Sequence, residues 1–431
     1  MCPTLEPIGL KEFQARRRGL AQRLSSNDMA RDTMLQAYVT EPSVNTLYYL
    51  NITSEDWFLS ERPWLLVVTP RTNASDATHT KPDARVAILT PSFELSRSKR
   101  LPLAMTRQEL DDIKWLTYRE DENPYDVVAN HIVNNRFAEV DEWPKARGTV
   151  HVEENVRQFV ASGIRDAVSR KGQFEVDVAS LDIRRQRMKK TGVELAIQRC
   201  VAKITVHALR AVQRQLYIGM TEKDGERLIT KALRAGGLTD LDAIVLFGAN
   251  AALPHASASH GKKLEHGEFV LMDVGGRLQG YMSDFTRTML PESSRNQWPS
   301  DESKTIWTTV NRAQIEALYK LQRTNVTAGS VDAAARQVIT DEGYGPFFTH
   351  RLGHGIGLQV HEEPYLRGAN DEVLVPGETF SNEPGIYIEQ GDKRKFEGKG
   401  IGVRLEDMVL KTETGWQLVS DEDLAQTPWD P

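Results

Sequence analysis

Hydrophobic and polar positions change their pattern along the chain, and the change predicts two domains. The first part opens with a loosely helical stripe, formed by Leu10, Phe13, Leu20 and Leu24. Short apolar runs typical of buried strands follow at 44–50, 64–69, 85–90 and 149–152, with a helical pattern at 156–168. Helices that alternate with short buried strands predict an α/β domain with a mixed or mostly parallel sheet. We place this domain at residues 1–178.

The second predicted domain, residues 179–431, begins with a long helix. Its apolar residues recur at spacings of three and four, which predicts one buried face: Ile197, Val201, Ile204, Ala208, Val212 and Leu216. Thr221 with Asp224 predicts the start of the next helix, which ends at Gly236-Gly237. Two further helices are predicted over 301–322 and 330–343. Each pair of helices precedes strand-like segments, and this order is compatible with a pseudo-twofold arrangement.

A stretch of strand-forming residues at 268–290, EFVLMDVGGRLQGYMSDFTRTML, carries two aspartates. We expect two antiparallel strands joined by a glycine turn at Gly275-Gly276, with Asp273 on one strand and Asp284 on the other. Neighbouring strands can hold two carboxylates against the same volume, and such like charges require a cation or a shared proton. The alternative, two surface aspartates beside a hairpin, stays open on this stretch alone.

Three later segments supply complementary groups. HRLGHGIGLQVHE (350–362) places His354 among glycines, ETFSNEPGIYI (378–388) contains Glu383, and IGVRLEDMVL (401–410) contains Glu406. Four carboxylates and one imidazole form an oxygen-rich set that suits Mn²⁺, Co²⁺, Fe²⁺ or Zn²⁺. Four carboxylates exceed the charge that one divalent ion needs, so the set predicts two ions that share bridging carboxylates. The predicted ligands are Asp273, Asp284, His354, Glu383 and Glu406.

These segments resemble the motifs of the "pita-bread" metallopeptidases, which include Xaa-Pro dipeptidase (prolidase), aminopeptidase P, creatinase and methionine aminopeptidase. The resemblance covers about residues 185–420, and SDFTRT, NEPGIYI and GVRLED are similar to the family's other motifs. It implies an α/β (α+β) fold, with a creatinase-like N-terminal domain followed by a C-terminal domain in which helices cover a curved antiparallel sheet. The large N-terminal domain disfavours methionine aminopeptidase.

The resemblance also implies roles for residues of the catalytic domain. Glu383 would double as the proton shuttle for a water held between the metals, and His361 would hydrogen-bond the substrate from outside the ligand set. The segment FGANAALPHA (247–256) is similar to a substrate-pocket motif, which gives His255 a substrate-side role. On its residues alone it is a loop histidine.

Roles are also assigned to three further residues. Arg404 is expected to support the ligands or to reach the substrate, although a plain strand-edge arginine is the alternative. Arg367 follows His361 in a loop where prolidases place an arginine that binds a terminal carboxylate. Tyr281 lies in the run GYMSDFTRT and is expected to line the pocket.

The leading functional hypothesis is a dinuclear-metal hydrolase that cleaves the Xaa-Pro bond of dipeptides or peptide N-termini through a metal-bridging hydroxide. Two Mn²⁺ ions per chain are expected, with Co²⁺, Fe²⁺ and Zn²⁺ as alternatives. Family members are usually homodimers, and we expect the same here. The alternatives are a creatinase-like C–N hydrolase or lyase acting on a small metabolite, and a binding protein without activity.

Charge and cysteine content limit the partners and the compartment. The chain has 54 basic and 60 acidic residues, a net charge of −6, and no dense basic block, so no nucleic-acid partner is expected. No apolar run is long enough to span a membrane, and the first thirty residues contain no signal-like apolar stretch. Cys2 and Cys200 suggest no disulfide framework, which indicates a reducing, cytoplasmic setting.

Overall fold

The computed structural model describes residues 5–26, 34–71, 83–137 and 147–431. The chain divides into two compact units. One unit is Ile8–Arg187, and the other is Met188–Pro431 together with residues 5–7.

A six-stranded sheet with the order β4-β3-β2-β1-β5-β6 forms the centre of the first unit. Its strands are β1 (Met34–Thr40), β2 (Leu65–Arg71), β3 (Asp83–Pro91), β4 (Lys114–Tyr118), β5 (Arg147–Val152) and β6 (Gln173–Val178). Its helices are α1 (Leu10–Ser26), α2 (Val44–Leu50), α3 (Leu95–Ser98), α4 (Arg107–Asp112), α5 (Pro124–Phe137), α6 (Gln158–Ser169) and α7 (Leu181–Met188). Strand β2 is antiparallel to both neighbours, whereas the other three pairs are parallel. The prediction of a mixed sheet is therefore confirmed.

Two details of the first unit differ from the sequence prediction. The run 44–50 is helix α2 and not a strand, because Ser43 caps it in a reciprocal capping box with Thr46. The first unit also extends to Arg187, beyond the expected residue 178. Helix α7 belongs to it, since the Tyr48 hydroxyl donates to the Gln186 carbonyl at 2.9 Å and Arg187 donates to Asn45 Oδ1 at 2.7 Å.

The second unit contains four long helices and three antiparallel sheets. The helices are α8 (Gly192–Gln213), α9 (Glu222–Ala235), α10 (Asp301–Leu321) and α11 (Ala328–Asp341). The strands are β7 (Thr239–Phe247), β8 (Val270–Leu278), β9 (Tyr281–Met289), β10 (Gly353–Gly355), β11 (Glu362–Leu366), β12 (Thr379–Asn382), β13 (Gly385–Ile388), β14 (Ile401–Arg404), β15 (Asp407–Thr412) and β16 (Gly415–Leu418). The sheet orders are β7-β8-β9, β11-β10-β12-β15-β16 and β13-β14.

Two hydrophobic cores lie in the second unit, one for each pair of helices. The apolar faces of α8 and α9 pack with β7, β8 and β9, and those of α10 and α11 pack with β12, β13 and β14. In the first half these strands carry Asp273 and Asp284. In the second half Glu383 lies between β12 and β13 and Glu406 lies between β14 and β15, in short breaks and not inside the strand-like runs expected from the sequence.

The start of α9 follows the sequence prediction, since Thr221 and Asp224 form its capping box. Helix α11 begins at Ala328, two residues before the predicted Ser330, because Thr327 is its cap.

None of the described helices combines the length and apolar character needed to cross a membrane. Cys200 lies in α8 and is disulfide-bonded, contrary to the expectation that the cysteines form no disulfide. Cys2 lies outside the described residues.

Candidate metal centre

The hairpin of β8 and β9 presents both aspartates on one face. Asp273 is opposite Thr286 in the register, and Asp284 lies two residues before Thr286 on the same strand. Because side chains alternate along a strand, Asp273 and Asp284 face the same side.

The turn of this hairpin is at Gln279-Gly280, where both residues have positive φ, 47° and 91°. Two such residues suit a tight two-residue hairpin turn. The predicted turn at Gly275-Gly276 is therefore wrong, and both glycines lie inside β8. A Cβ at Gly275 would lie 2.2 Å from the Ser283 carbonyl oxygen of β9, so the close approach of the two strands requires glycine at this position.

Strand β10 fixes the orientation of His354. Its backbone N–H donates to Ser381 Oγ at 3.0 Å, and its Nδ1 lies 3.1 Å from the Gly355 carbonyl oxygen. A carbonyl only accepts, so Nδ1 carries the proton and Nε2 is left available as a ligand. A Cβ at Gly353 would lie 2.0 Å from the Ser381 carbonyl oxygen, which explains the glycine before the histidine.

The five predicted ligands converge in the second unit. His354 Nε2 lies 3.2 Å from Glu383 Oε1 and 3.7 Å from Asp284 Oδ2. Ligand atoms also lie within 4.8 Å of one another in two overlapping groups, one of His354, Glu383 and Glu406, and one of Asp273, Asp284 and Glu406. Glu406 belongs to both groups, as a carboxylate shared between two cations would.

Electrostatics within this cluster favours bound cations. Burial, followed by the charges of Glu406 and Asp273, raises the pKa of Asp284 well above its usual range. Burial, followed by the charge of Glu383, does the same for Glu406. Burial acts in the same direction on Glu383, but its close contact with the His354 imidazole lowers the pKa of Glu383 to about 2. Buried carboxylates that repel one another are stabilised by positive charge.

Glu406 provides a direct test of whether the residues fit a metal. Its Oε2 accepts a hydrogen bond from Thr286 Oγ1 at 2.6 Å. Its Oε1 is buried and meets no hydrogen-bond donor among the residues that the structure describes. A buried carboxylate oxygen without a donor is costly unless a cation contacts it. The set of oxygen donors and one imidazole nitrogen thus fits divalent metal ions.

Arg404 lies beside the cluster and contacts a predicted ligand. Its Nη2 donates to Asp273 Oδ2 at 2.7 Å, its Nε donates to Thr286 Oγ1 at 2.9 Å, and its Nη1 donates to the Tyr387 hydroxyl at 2.8 Å. Arg404 is 2% exposed, so these bonds form in a nearly water-free environment. Their geometry fits a residue that orients Asp273 and, through Thr286, Glu406.

Two residues of this network were not assigned from the sequence. His350 Nδ1 lies 2.6 Å from the Arg351 carbonyl oxygen, so it donates there, and His350 Nε2 accepts from the Tyr387 hydroxyl at 2.8 Å. Burial lowers the pKa of His350, in agreement with a neutral imidazole. His350 lies in the motif HRLGHGIG and Tyr387 lies in NEPGIYI, and this membership was the signal in the sequence that could have indicated a role for them.

Two histidines, His255 and His361, are expected from the sequence on the substrate side. The ring of His361 stacks edge-on against His354 at a centroid distance of 4.2 Å, and one of its nitrogens groups with Asp284 and His354. Burial, followed by the charges of His354 and Arg351, lowers the pKa of His361 to about 4. His255 is exposed, and its charge also contributes to lowering the pKa of both His350 and His361.

The remaining two assignments have less support in the geometry. Arg367 is exposed in the loop after β11. Tyr281 is 1% exposed, and its hydroxyl donates to Glu194 of α8 at 2.6 Å. Side chains alternate along β9, so Tyr281 faces the helix and Asp284 faces the cluster. This geometry favours a structural role for Tyr281 over the expected place in the pocket.

Comparison with known proteins identifies the family. A sequence profile of Metallopeptidase family M24 matches residues 196–413, which include every predicted metal ligand. The chain belongs to metallopeptidase family M24.

Relatives of this M24 chain match it beyond the catalytic unit. An uncharacterized peptidase of Schizosaccharomyces pombe is 37% identical over 426 residues, covering 98% of this chain and 84% of the relative. The Xaa-Pro dipeptidase of Pyrococcus furiosus is 31% identical over 65% of this chain and 76% of its own length. The crystal structure of dipeptidase PepE from Mycobacterium ulcerans superposes with a TM-score of 0.77 at 28% identity, covering 97% of this chain and 98% of that one. The expected fold is thereby confirmed.

Proposed function

We propose that this M24 chain is a metal-dependent hydrolase that cleaves the peptide bond before proline, with Xaa-Pro dipeptides or the N-termini of Xaa-Pro peptides as substrates. One observation carries the proposal. Residues from four separate segments form a largely buried cluster of four carboxylates and one imidazole, in which Glu406 Oε1 meets no donor among the described residues. The Xaa-Pro dipeptidase names of several relatives support the choice of substrate.

The residues that would hold two divalent ions are Asp273, Asp284, His354, Glu383 and Glu406. When bound, such ions supply positive charge to the amide carbonyl and lower the pKa of an attacking water. Mn²⁺ is the ion we propose, since the donors are mainly carboxylate oxygens.

The chain's own residues supply the remaining chemistry. Glu383 would take the proton of the attacking water and deliver it to the proline nitrogen as the bond breaks. Its Oε1 accepts a hydrogen bond from Ser381 Oγ at 3.1 Å, which fixes its orientation. His361 would donate a hydrogen bond to the carbonyl oxygen as negative charge develops there.

His255 and Arg367 would contact the two ends of a short substrate. Arg404 would keep Asp273 in position through the 2.7 Å bond. We also propose the homodimer implied by the family resemblance. The cytoplasmic location expected from the sequence stays a proposal, and the disulfide at Cys200 counts against it because disulfides are rare in reducing compartments. Cell fractionation tests the location.

Liquid chromatography of reaction products tests this function. Mn²⁺-loaded protein is incubated with Gly-Pro, Ala-Pro, a longer Xaa-Pro peptide, creatine and the matched peptide Ala-Ala. We expect cleavage before proline and slow or absent cleavage of Ala-Ala and creatine. Rapid turnover of creatine without cleavage of any proline peptide would favour the creatinase-like alternative. Cleavage of the longer peptide distinguishes an aminopeptidase from a strict dipeptidase.

A further inference from the structure

Glu222, the first residue of α9, is a buried carboxylate outside the metal cluster. It is 0% exposed. Its Oε1 accepts hydrogen bonds from the Phe247 backbone N–H at 2.8 Å and from Asn250 Nδ2 at 2.9 Å. Its Oε2 accepts a hydrogen bond from the Ser259 backbone N–H at 2.8 Å. Hydrogen bonds to a carboxylate are about twice as strong as those between neutral groups, so Glu222 holds its three donors firmly in place.

All three donors belong to one segment, residues 247–259, which contains His255. Phe247 ends β7, Asn250 lies in the 3₁₀ turn Gly248–Ala252, and Ser259 follows His255 by four residues. The carboxylate therefore joins the two ends of a loop, which we call the 247–259 loop. A further hydrogen bond forms just after the Ser259 end of the loop. The backbone N–H of Glu222 donates to the Lys262 carbonyl at 3.2 Å.

The other side of the 247–259 loop packs closely on β14, the strand that ends at Arg404. A Cβ at Gly402 would lie 1.7 Å from the Ala251 carbonyl oxygen, so only glycine permits this approach. Its 3₁₀ turn is thus held between Glu222 and β14. Beyond the 3₁₀ turn, Leu253, His255 and Ser257 of the loop are exposed. The position of His255 consequently depends on how firmly Glu222 holds the two ends.

We propose that Glu222 is a positioning residue, which holds the 247–259 loop so that His255 meets the substrate. The proposal rests on the proposed function, in which His255 acts on the substrate side. Glu222 itself does not touch the substrate, and it acts through the hydrogen bonds to Phe247, Asn250 and Ser259.

Glu222→Gln is the sharpest variant, because it keeps the shape of the side chain and replaces one acceptor oxygen with an N–H₂ donor. That donor must face at least one of the three N–H groups, so at least one hydrogen bond is lost. We expect kcat/KM to fall roughly 10- to 100-fold, as for a misplaced substrate contact. Metal content should equal that of the wild type. Glu226→Gln removes a charge from the same helix, where Glu226 pairs only with Lys223 among the described contacts, and should retain wild-type kcat/KM.

A double-mutant cycle separates positioning from general stability. If Glu222 acts through His255, Glu222→Gln should cost less than about 3-fold in a His255→Ala background, since the positioned group is already absent. Equal fold-losses in both backgrounds would overturn the proposal, as would wild-type kcat/KM in Glu222→Gln. If that variant fails to fold, Asn250→Ala removes a single bond to the carboxylate and must show the same non-additivity with His255→Ala.

Hydrogen exchange without substrate tests the loop independently of catalysis. Peptides covering 247–260 should exchange faster in Glu222→Gln than in the wild type, while peptides from β8 and β9 should be unchanged. Unchanged exchange at 247–260 would overturn the proposal. Wild-type protein that cleaves no Xaa-Pro peptide would contradict the proposed function instead, and the exchange result would still decide whether Glu222 holds the loop.

Discussion

Replacing Arg287 with methionine should destabilise the catalytic unit without removing a metal ligand. Arg287 is 1% exposed and Asp407 is 1% exposed, and they form an ion pair at 2.7 Å behind the cluster. Arg287 Nη1 also donates to the Glu406 carbonyl at 2.6 Å. The pair therefore joins β9, which carries Asp284, to the start of β15, which directly follows Glu406.

The expected loss follows from what remains around Asp407. Without Arg287, the Asp407 carboxylate keeps its hydrogen bond from Gln314 Nε2, at 3.0 Å, but loses its ion pair with the guanidinium. Removing one partner of a buried ion pair typically costs about 3–5 kcal/mol, because the other charge stays buried. The exposed Arg295 offers a matched control, since its side chain is 43% exposed and it pairs with Glu292 and Asp430. Arg295→Met should cost much less than Arg287→Met, because exposed ion pairs are screened by solvent.

Urea denaturation of metal-free protein measures these losses while excluding any change in metal binding. The double variant Arg287→Met/Asp407→Asn removes the uncompensated charge and should recover at least half of the loss. The reasoning would be refuted if Arg287→Met were within about 1 kcal/mol of the wild type. It would also be refuted if the double variant were no more stable than Arg287→Met alone.

Three other expectations concern the site and the assembly. His354→Ala should lose at least one metal ion per chain, whereas His361→Ala should keep both ions and lose roughly 10²–10³ in kcat. Metal content and kcat are measured on the same preparations. Loss of metal in His361→Ala with full metal content in His354→Ala would contradict these roles. Tyr281→Phe removes the bond to Glu194, so it should cost about 1–3 kcal/mol of stability and leave kcat/KM unchanged; a large loss of kcat/KM with normal stability would restore the pocket role. Light scattering at micromolar concentration should give a homodimer, and a fully active monomer would refute that expectation.

Much of the site could be predicted because ligands need particular residue types in strand-like segments. The hairpin of β8 and β9 is strongly patterned, and both aspartates fall on the face that the alternation gives them. Its turn was misplaced because Gly275-Gly276 looks like a turn from sequence alone. Only the approach of the Ser283 carbonyl explains those glycines, and that contact forms between strands.

Contacts between distant residues explain most of what sequence reasoning missed. His350 and Tyr387 are 37 residues apart, and their bond depends on how β10 and β13 are placed in the fold. Helix α2 was predicted as a strand because five of its seven residues are aliphatic or aromatic, and the capping box at Ser43 outweighed that pattern. Tyr281 was expected in the pocket because it lies in the same run as Asp284, but strand residues three positions apart face opposite sides.

Metal titration of a single preparation tests the central claim most directly. Mn²⁺ lies low in the affinity series, so purified protein can be partly empty and must first be chelated and then refilled. The account predicts no Xaa-Pro cleavage after chelation, restoration by Mn²⁺, and saturation at two ions per chain. Full activity after chelation, with metal analysis confirming complete removal, would contradict it.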